Sequence, residues 1–211
     1  METLVPDRGE RPRALPVVGG HLALDFANTV DDPAGVARWD HLADYDDLLA
    51  WSVDAGSLGA GARDELTVGA RRHPRRAAAA YRRALDLRTA VNAVFGAIAD
   101  GGDPSDADWA TLRALGGEGL ARADLAPAAQ AYALRWSDPD DPEVMLWPVV
   151  DAALRLLVSP DLARLKRCGG CPWLFLDRSK NGSRRWCAMD DCGTHEKIRR
   201  YVSRRAARRS P

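Results

Sequence analysis

CGGCPWLFLDRSKNGSRRWCAMDDC, residues 168–192, holds all four cysteines of the chain. Cys168 and Cys171 form one close pair, and Cys187 and Cys192 a second, in the spacing C-x2-C-x15-C-x4-C. Two thiol pairs joined by a loop of that length can reach one ion. Four soft thiolates in a tetrahedron are what a structural Zn2+ demands. Cys168-Gly-Gly-Cys171 alone is a weak signal that also suits a redox pair or core thiols. Both pairs together favour one structural Zn2+ over a redox-labile zinc site, with an iron–sulfur cluster further behind.

The spacer supports convergence. Pro172 to Asp177 has strand character, Asn181-Gly182 is a hairpin turn signal, and Arg184-Arg185-Trp186 is expected to return as the second strand. That fold-back carries Cys187 and Cys192 to the end where Cys168 and Cys171 sit. A segment this small buries too little apolar surface to stand alone, so the metal is expected to serve as its core. Beyond Cys192-Gly193, Thr194 is expected to cap a helix running to about Ala207. Ile198, Tyr201 and Val202 form its apolar edge, expected inward, and Lys197, Arg200, Arg204 and Arg208 a basic stripe, expected outward.

Charge separates this end from the rest. Residues 164–211 carry 14 Lys/Arg against 4 Asp/Glu, a net +10, and residues 1–163 carry 16 against 26, a net −10. Overall neutrality therefore conceals two opposed halves, and the basic half calls for an anionic partner. A basic helix seated on a zinc site suits the major groove of DNA or its phosphates. The candidate contacts are Arg178, Lys180, Arg184 and Arg185 near the hairpin tip, and Lys197, Arg199, Arg200 and Arg204 on the helix. The competing reading is that these side chains only solubilise the segment or pair with the acidic half.

The N-terminal part reads as mostly helical. Helices are expected over Gly19 to Val30, Asp44 to about Ala55, Arg75 to Asp100, Ser105 to Leu115, and around Val150 to Leu157. Leu87, Val91, Val94, Phe95 and Ile98 make the clearest amphipathic stripe. Leu120 to Trp136 is read as two strands, Trp39 and Trp51 as core, and Arg71 to Ala80 as an Arg/Ala-rich patch. The fold class expected is α+β: a predominantly helical N-terminal domain, residues 14–160, with a small strand pair, then a treble-like four-cysteine zinc module, residues 161–208, of β-hairpin plus helix.

Composition, 46% hydrophobic and 28% charged, is that of a soluble globular protein. The charged, proline-rich opening, read as poorly ordered, has no apolar stretch of a secretory signal. No apolar run approaches the roughly 18 residues of a membrane helix. A cytoplasmic location follows as an expectation, with reduced, metal-ligating thiols.

The quoted cysteines, with Trp173-Leu174-Phe175-Leu176-Asp177, Ser179, Asn181, Arg184-Arg185-Trp186-Cys187-Ala188-Met189, Cys192-Gly193 and Lys197, resemble the CGNR-type zinc finger. In that family the finger follows an ABATE-type domain opening with Gly-Gly and Leu-Asp-Phe-x-Asn-Thr. Gly19-Gly20 and Leu24-Asp25-Phe26-Ala27-Asn28-Thr29 resemble that opening. The resemblance spans nearly the whole chain and implies a bacterial stress-induced transcription regulator. One departure stands out: where the family has Asn-Arg after Cys-Gly, this chain has Thr194-His195.

The leading expectation is thus a zinc-dependent DNA-binding regulator whose N-terminal domain senses a small-molecule effector or mediates association. Asp25 and Asn28 are the candidate ligand-pocket residues. Homodimerisation is expected because fingers of this size read few bases. The alternative is an RNA- or protein-docking zinc module, with Trp173, Phe175 and Trp186 stacking on unpaired bases or shielding the metal. Catalysis is not expected. Four cysteines close the zinc shell, and His21, His41, His73 and His195 lie scattered, without a base–nucleophile pattern.

Overall fold

The computed structural model describes residues 15, 17–31 and 40–207, without the side chains of Arg200, Arg204, Ala206 and Ala207. Trp39, Arg208 and the charged opening of the chain lie outside these residues. The architecture is α+β and mostly helical. Helix α1 spans Leu22–Ala27, α2 Tyr45–Asp54, α3 Ala60–Arg72, α4 Pro74–Ala99 and α5 Asp106–Ala121. Strands β1 (Asp124–Ala128) and β2 (Ala131–Arg135) form an antiparallel hairpin, followed by α6, Leu146–Leu157.

Helix α4 is the spine, with Pro74 in its first turn, where a missing N–H costs nothing. Its buried face runs through Ala80, Ala84, Leu87, Val91, Val94 and Phe95, extending the expected stripe toward the N-terminus with small residues. Against that face pack α1, α5 and α6. Asp44 caps α2 by accepting from the Asp47 N–H, and Ser105 caps α5 by accepting from Asp108.

The expected helices need correction at α5 and α3. Helix α5 does not stop before Gly116-Gly117 but continues to Ala121. A Cβ at Gly116 would lie 2.5 Å from the Leu154 side chain, so the glycine is where α6 packs against α5. Helix α3 was not anticipated: Leu66 is its one fully buried residue, too little for an apolar stripe.

A 3-10 turn at Pro160–Arg164 leads to β3, Leu165–Arg167, which pairs antiparallel with β4, Leu174–Leu176. A π turn, Met189–Gly193, runs directly into α7, Thr194–Ala207. Among the described residues no helix is long and apolar enough to cross a membrane.

Candidate metal centre

Strand β4 lies between two cores. Leu174 and Leu176 are buried with the helical core formed by α1, α4 and α6, while Trp173 and Phe175 cluster with Cys168, Cys187 and Cys192. Period-2 alternation thus splits one apolar run between helices and cysteines. The β3–β4 turn is a tight knuckle, closed by the Cys168 N–H donating to the Trp173 carbonyl at 2.8 Å. It presents Cys168 and Cys171 together.

The expected hairpin about Asn181-Gly182 does not form. The turn exists, with Gly182 at φ +58° donating to the Ser179 carbonyl, but residues 184–186 are not a strand. Both edges of β4 are already occupied. Along one run β3, the Arg164 carbonyl bonded by Asp177 N–H, and Cys168. Along the other, Gly19 O accepts from Leu176 N–H at 2.9 Å, and Asn28 pairs with Leu174.

The loop returning to Cys187 is organised by Asp177 instead. Its carboxylate accepts from Lys166 Nζ (2.7 Å), the Ser179 N–H (3.0 Å) and hydroxyl (2.6 Å), and the Arg184 N–H (2.9 Å). Lys166 and these donors hold it well below the usual carboxylate range. The Arg184 guanidinium turns inward, donating to the carbonyls of Trp186 and Cys187 and lying 4.6 Å over the Phe175 ring.

The four cysteine Sγ atoms lie within 4.8 Å of one another, with Cys171 and Cys187 at 3.5 Å and Cys187 and Cys192 at 3.7 Å. Tetrahedral Zn–S bonds of about 2.3 Å require S···S edges of about 3.8 Å, and the 3.5 and 3.7 Å pairs lie close to that. Backbone N–H groups of Gly170 (3.4 Å) and Cys187 (3.2 Å) point at Cys168 Sγ, as they would at a thiolate. Without a cation the thiols compete for charge. A hydrogen bond from Cys187 brings Cys171 down to about 6. The same contact, with burial, drives Cys187 strongly up, and burial pushes Cys192 up to about 12. A divalent cation resolves that conflict by favouring all four thiolates at once. The donor set fits zinc, and its closed shell leaves no position for substrate.

The finger is fastened to the helical part by residues of the N-terminal opening. Asn28 Oδ1 accepts from Leu174 N–H at 2.9 Å, and its Nδ2 donates to Leu174 O at 2.8 Å, so one side chain acts as a strand partner. Trp173 Nε1 donates to Val30 O at 3.2 Å. Asp25 accepts from Gly19 N–H at 2.8 Å, fixing the carbonyl that receives Leu176, and burial raises its pKa. Both expected pocket residues, Asp25 and Asn28, are therefore buried and committed to this junction. A second tie lies at the C-terminal end of α4. Arg167 pairs with Asp100 at 2.9 Å, donates to Pro172 O, and covers Gly96, where a Cβ would come within 2.6 Å of the guanidinium.

The remaining candidate contacts divide by location. Arg178, Lys180 and Arg185 are exposed on the loop; Arg178 donates to Gly20 O, and Arg185 lies over the Trp186 ring. Lys197 and Arg199 are exposed on α7, Arg199 paired with Glu196. The side chains of Arg200 and Arg204 lie outside the described residues. Thr194 does not cap α7: its hydroxyl donates to Met189 O inside the π turn, and His195 lies beside Asp191. The apolar edge of α7 is also not inward. Ile198, Tyr201 and Val202 are 55%, 60% and 58% exposed, because α7 rests chiefly on the π turn and projects from the metal site.

The sequence reading missed Lys166, Arg167 and Asp100, and assigned no task to Asp177. A three-residue strand is too short to show alternation, and the partners of Arg167 and Asn28 are far away in the chain. Gly96 inside a strong helical pattern was the one local hint of a close approach.

The chain belongs to the ABATE family. The family model, described as "putative stress-induced transcription regulator", matches residues 20–160, and a CGNR zinc finger model matches residues 164–205. No curated protein matches it. With the four-sulfur cluster, the match establishes a site for one structural zinc in a protein of regulatory rather than enzymatic families.

Proposed function

We propose that this zinc-binding regulator binds duplex DNA through its C-terminal surface. Residues 161–208 make the contact, and residues 14–160 form a domain for effector sensing or homodimerisation in the cytoplasm. The observation that carries the reading is α7. It leaves the metal site with Lys197, Arg199 and Arg205 exposed alongside Ile198, Tyr201 and Val202. Such a helix offers charge for phosphates and apolar side chains for thymine methyl groups. Exposed Arg178, Lys180 and Arg185 on the neighbouring loop add further phosphate contacts, while Arg184 supports the zinc loop.

Unpaired bases are a poorer fit. Trp173 and Phe175 are buried against the cysteines and Trp186 is half-buried, leaving no open stacking platform among them. The test is zinc-loaded protein titrated with a mixed-sequence duplex at graded salt. About five phosphate contacts give a log–log slope near −4.5. Binding is expected to vanish in Cys187→Ser; equal binding by that variant defeats the proposal.

A further inference from the structure

The helical half, with its 26 Asp/Glu, contains an acid-free stretch dense in arginine: residues 70–85 carry six of them, at the α3–α4 corner. Two of them are engaged. Arg83 bonds Glu118 at 2.8 Å and Glu143 at 2.7 Å, and Arg76 donates to Asp140 O. Arg71, Arg72, Arg75 and Arg82 are exposed and take no ion pair or hydrogen bond among the described residues. Unlike the single open arginines elsewhere in this domain, these four cluster at one corner with no acid between them. Arg71 and Arg72 also suit the C-terminal end of α3, but that accounts for neither Arg75 nor Arg82.

Helical geometry relates them to the finger. Arg82 and Asp100 are separated by about five turns of α4 and so share one face; Arg75 lies within about 20° of it. Asp100 is where Arg167 anchors the finger. The exposed ridge of α4 therefore runs from Arg75 through Arg82, Asp86 and Thr89 to the zinc module. The ridge from Arg75 to Asp100 measures about 38 Å, close to one turn of B-DNA at about 34–36 Å.

We propose that the α3–α4 corner is a second phosphate-contact surface, engaged one helical turn away by the same duplex that the finger holds. This rests on the DNA-binding reading above and extends the footprint into the helical domain. The experiment uses the full zinc-loaded chain with duplexes of 10 and 30 base pairs, in wild type and in Arg71→Gln/Arg72→Gln/Arg75→Gln/Arg82→Gln. Wild type is expected to show the steeper salt slope on the long duplex. The quadruple variant should lose at least about 2 of that slope, at about 0.9 per phosphate contact, and match wild type on the short duplex. Arg113→Gln/Arg135→Gln, exposed arginines elsewhere, should leave the slope unchanged. An unchanged slope in the quadruple variant, or an equal loss in the control, overturns the second surface while the finger reading stands. Absence of binding to either duplex overturns both. The substituted side chains are solvent-exposed, so zinc content and circular dichroism should match wild type.

Discussion

Hairpins β1–β2 and β3–β4 are both short and antiparallel, yet they stand at opposite ends of the range of burial. In β1–β2, five residues pair with five around a turn with Ala129 at φ 46°, and Leu125 and Tyr132 are 69% and 70% exposed. In β3–β4, three residues pair with three, and Leu174 and Phe175 are fully buried. A three-residue hairpin has no independent stability in water. What secures it lies outside the two strands: the cysteine cluster on one side and Asn28, Gly19, Val30 and Asp100 on the other. The finger is therefore not a freely hung appendage, because its central strand is shared with the helical core.

Removing the metal should separate the two hairpins most. Structural zinc contributes about 10–16 kcal/mol in isolated finger peptides. Chelation should strip amide-exchange protection from Cys168, whose N–H closes the knuckle. Leu176, bonded to Gly19, should keep part of its protection, and β1–β2 should be unaffected. Equal loss at Cys168 and Leu176 would show that docking depends wholly on zinc.

Asn28→Ala comes next. It leaves the Leu174 N–H and C=O buried without partners, at about 1–3 kcal/mol each, so thermal or denaturant unfolding should show a loss of about 2–6 kcal/mol. Zinc stoichiometry should remain one per chain. An effect under about 0.5 kcal/mol would mean that the other ties, through Trp173, Leu176 and Arg167, hold the junction without Asn28.

Asp177 supplies a pH-dependent term. Its folded pKa lies below the ordinary carboxylate value, so its contribution is present above the unfolded pKa and lost as pH falls through the folded one. Asp177→Asn should be less stable than wild type at pH 6. The gap should hold from pH 6 down to about 4 and narrow below that, as the unfolded chain's carboxylate takes up a proton while the folded one stays charged. A gap constant with pH would exclude the ion pair with Lys166 as its source.

The smallest effect belongs to the exposed hairpin. Tyr132→Ala should change stability by no more than about 0.5 kcal/mol in denaturant unfolding. A larger loss would show that β1–β2 is covered in solution, by a second copy of the chain or another partner.

Local chemistry made much of this molecule legible in its residues. The long stripe of α4, the Ser105 cap of α5 and the two strands between Leu120 and Trp136 all carry their signals within a few positions. So do the four cysteines, whose spacing and softness specify a metal before any coordinate is known. Pairing partners were less accessible. Asn181-Gly182 was a sound turn signal, but no local rule says that both edges of β4 are already taken. Exposure of Ile198, Tyr201 and Val202 was equally hidden, since an apolar edge only predicts burial if a neighbour exists to cover it.

Taken alone, the chain determined its charge division, most of its helices and the ligands of one zinc ion, because each depends on residue type and short spacing. Tertiary structure decided that Asn28, Asp25 and Gly19 clamp the finger, that Arg184 and Asp177 hold the metal loop, and that α7 projects. The clamp depends on groups that meet across more than a hundred residues, the metal loop and α7 on which neighbours are left to satisfy or cover them, and hydrogen-bond satisfaction is settled only when the whole chain has packed.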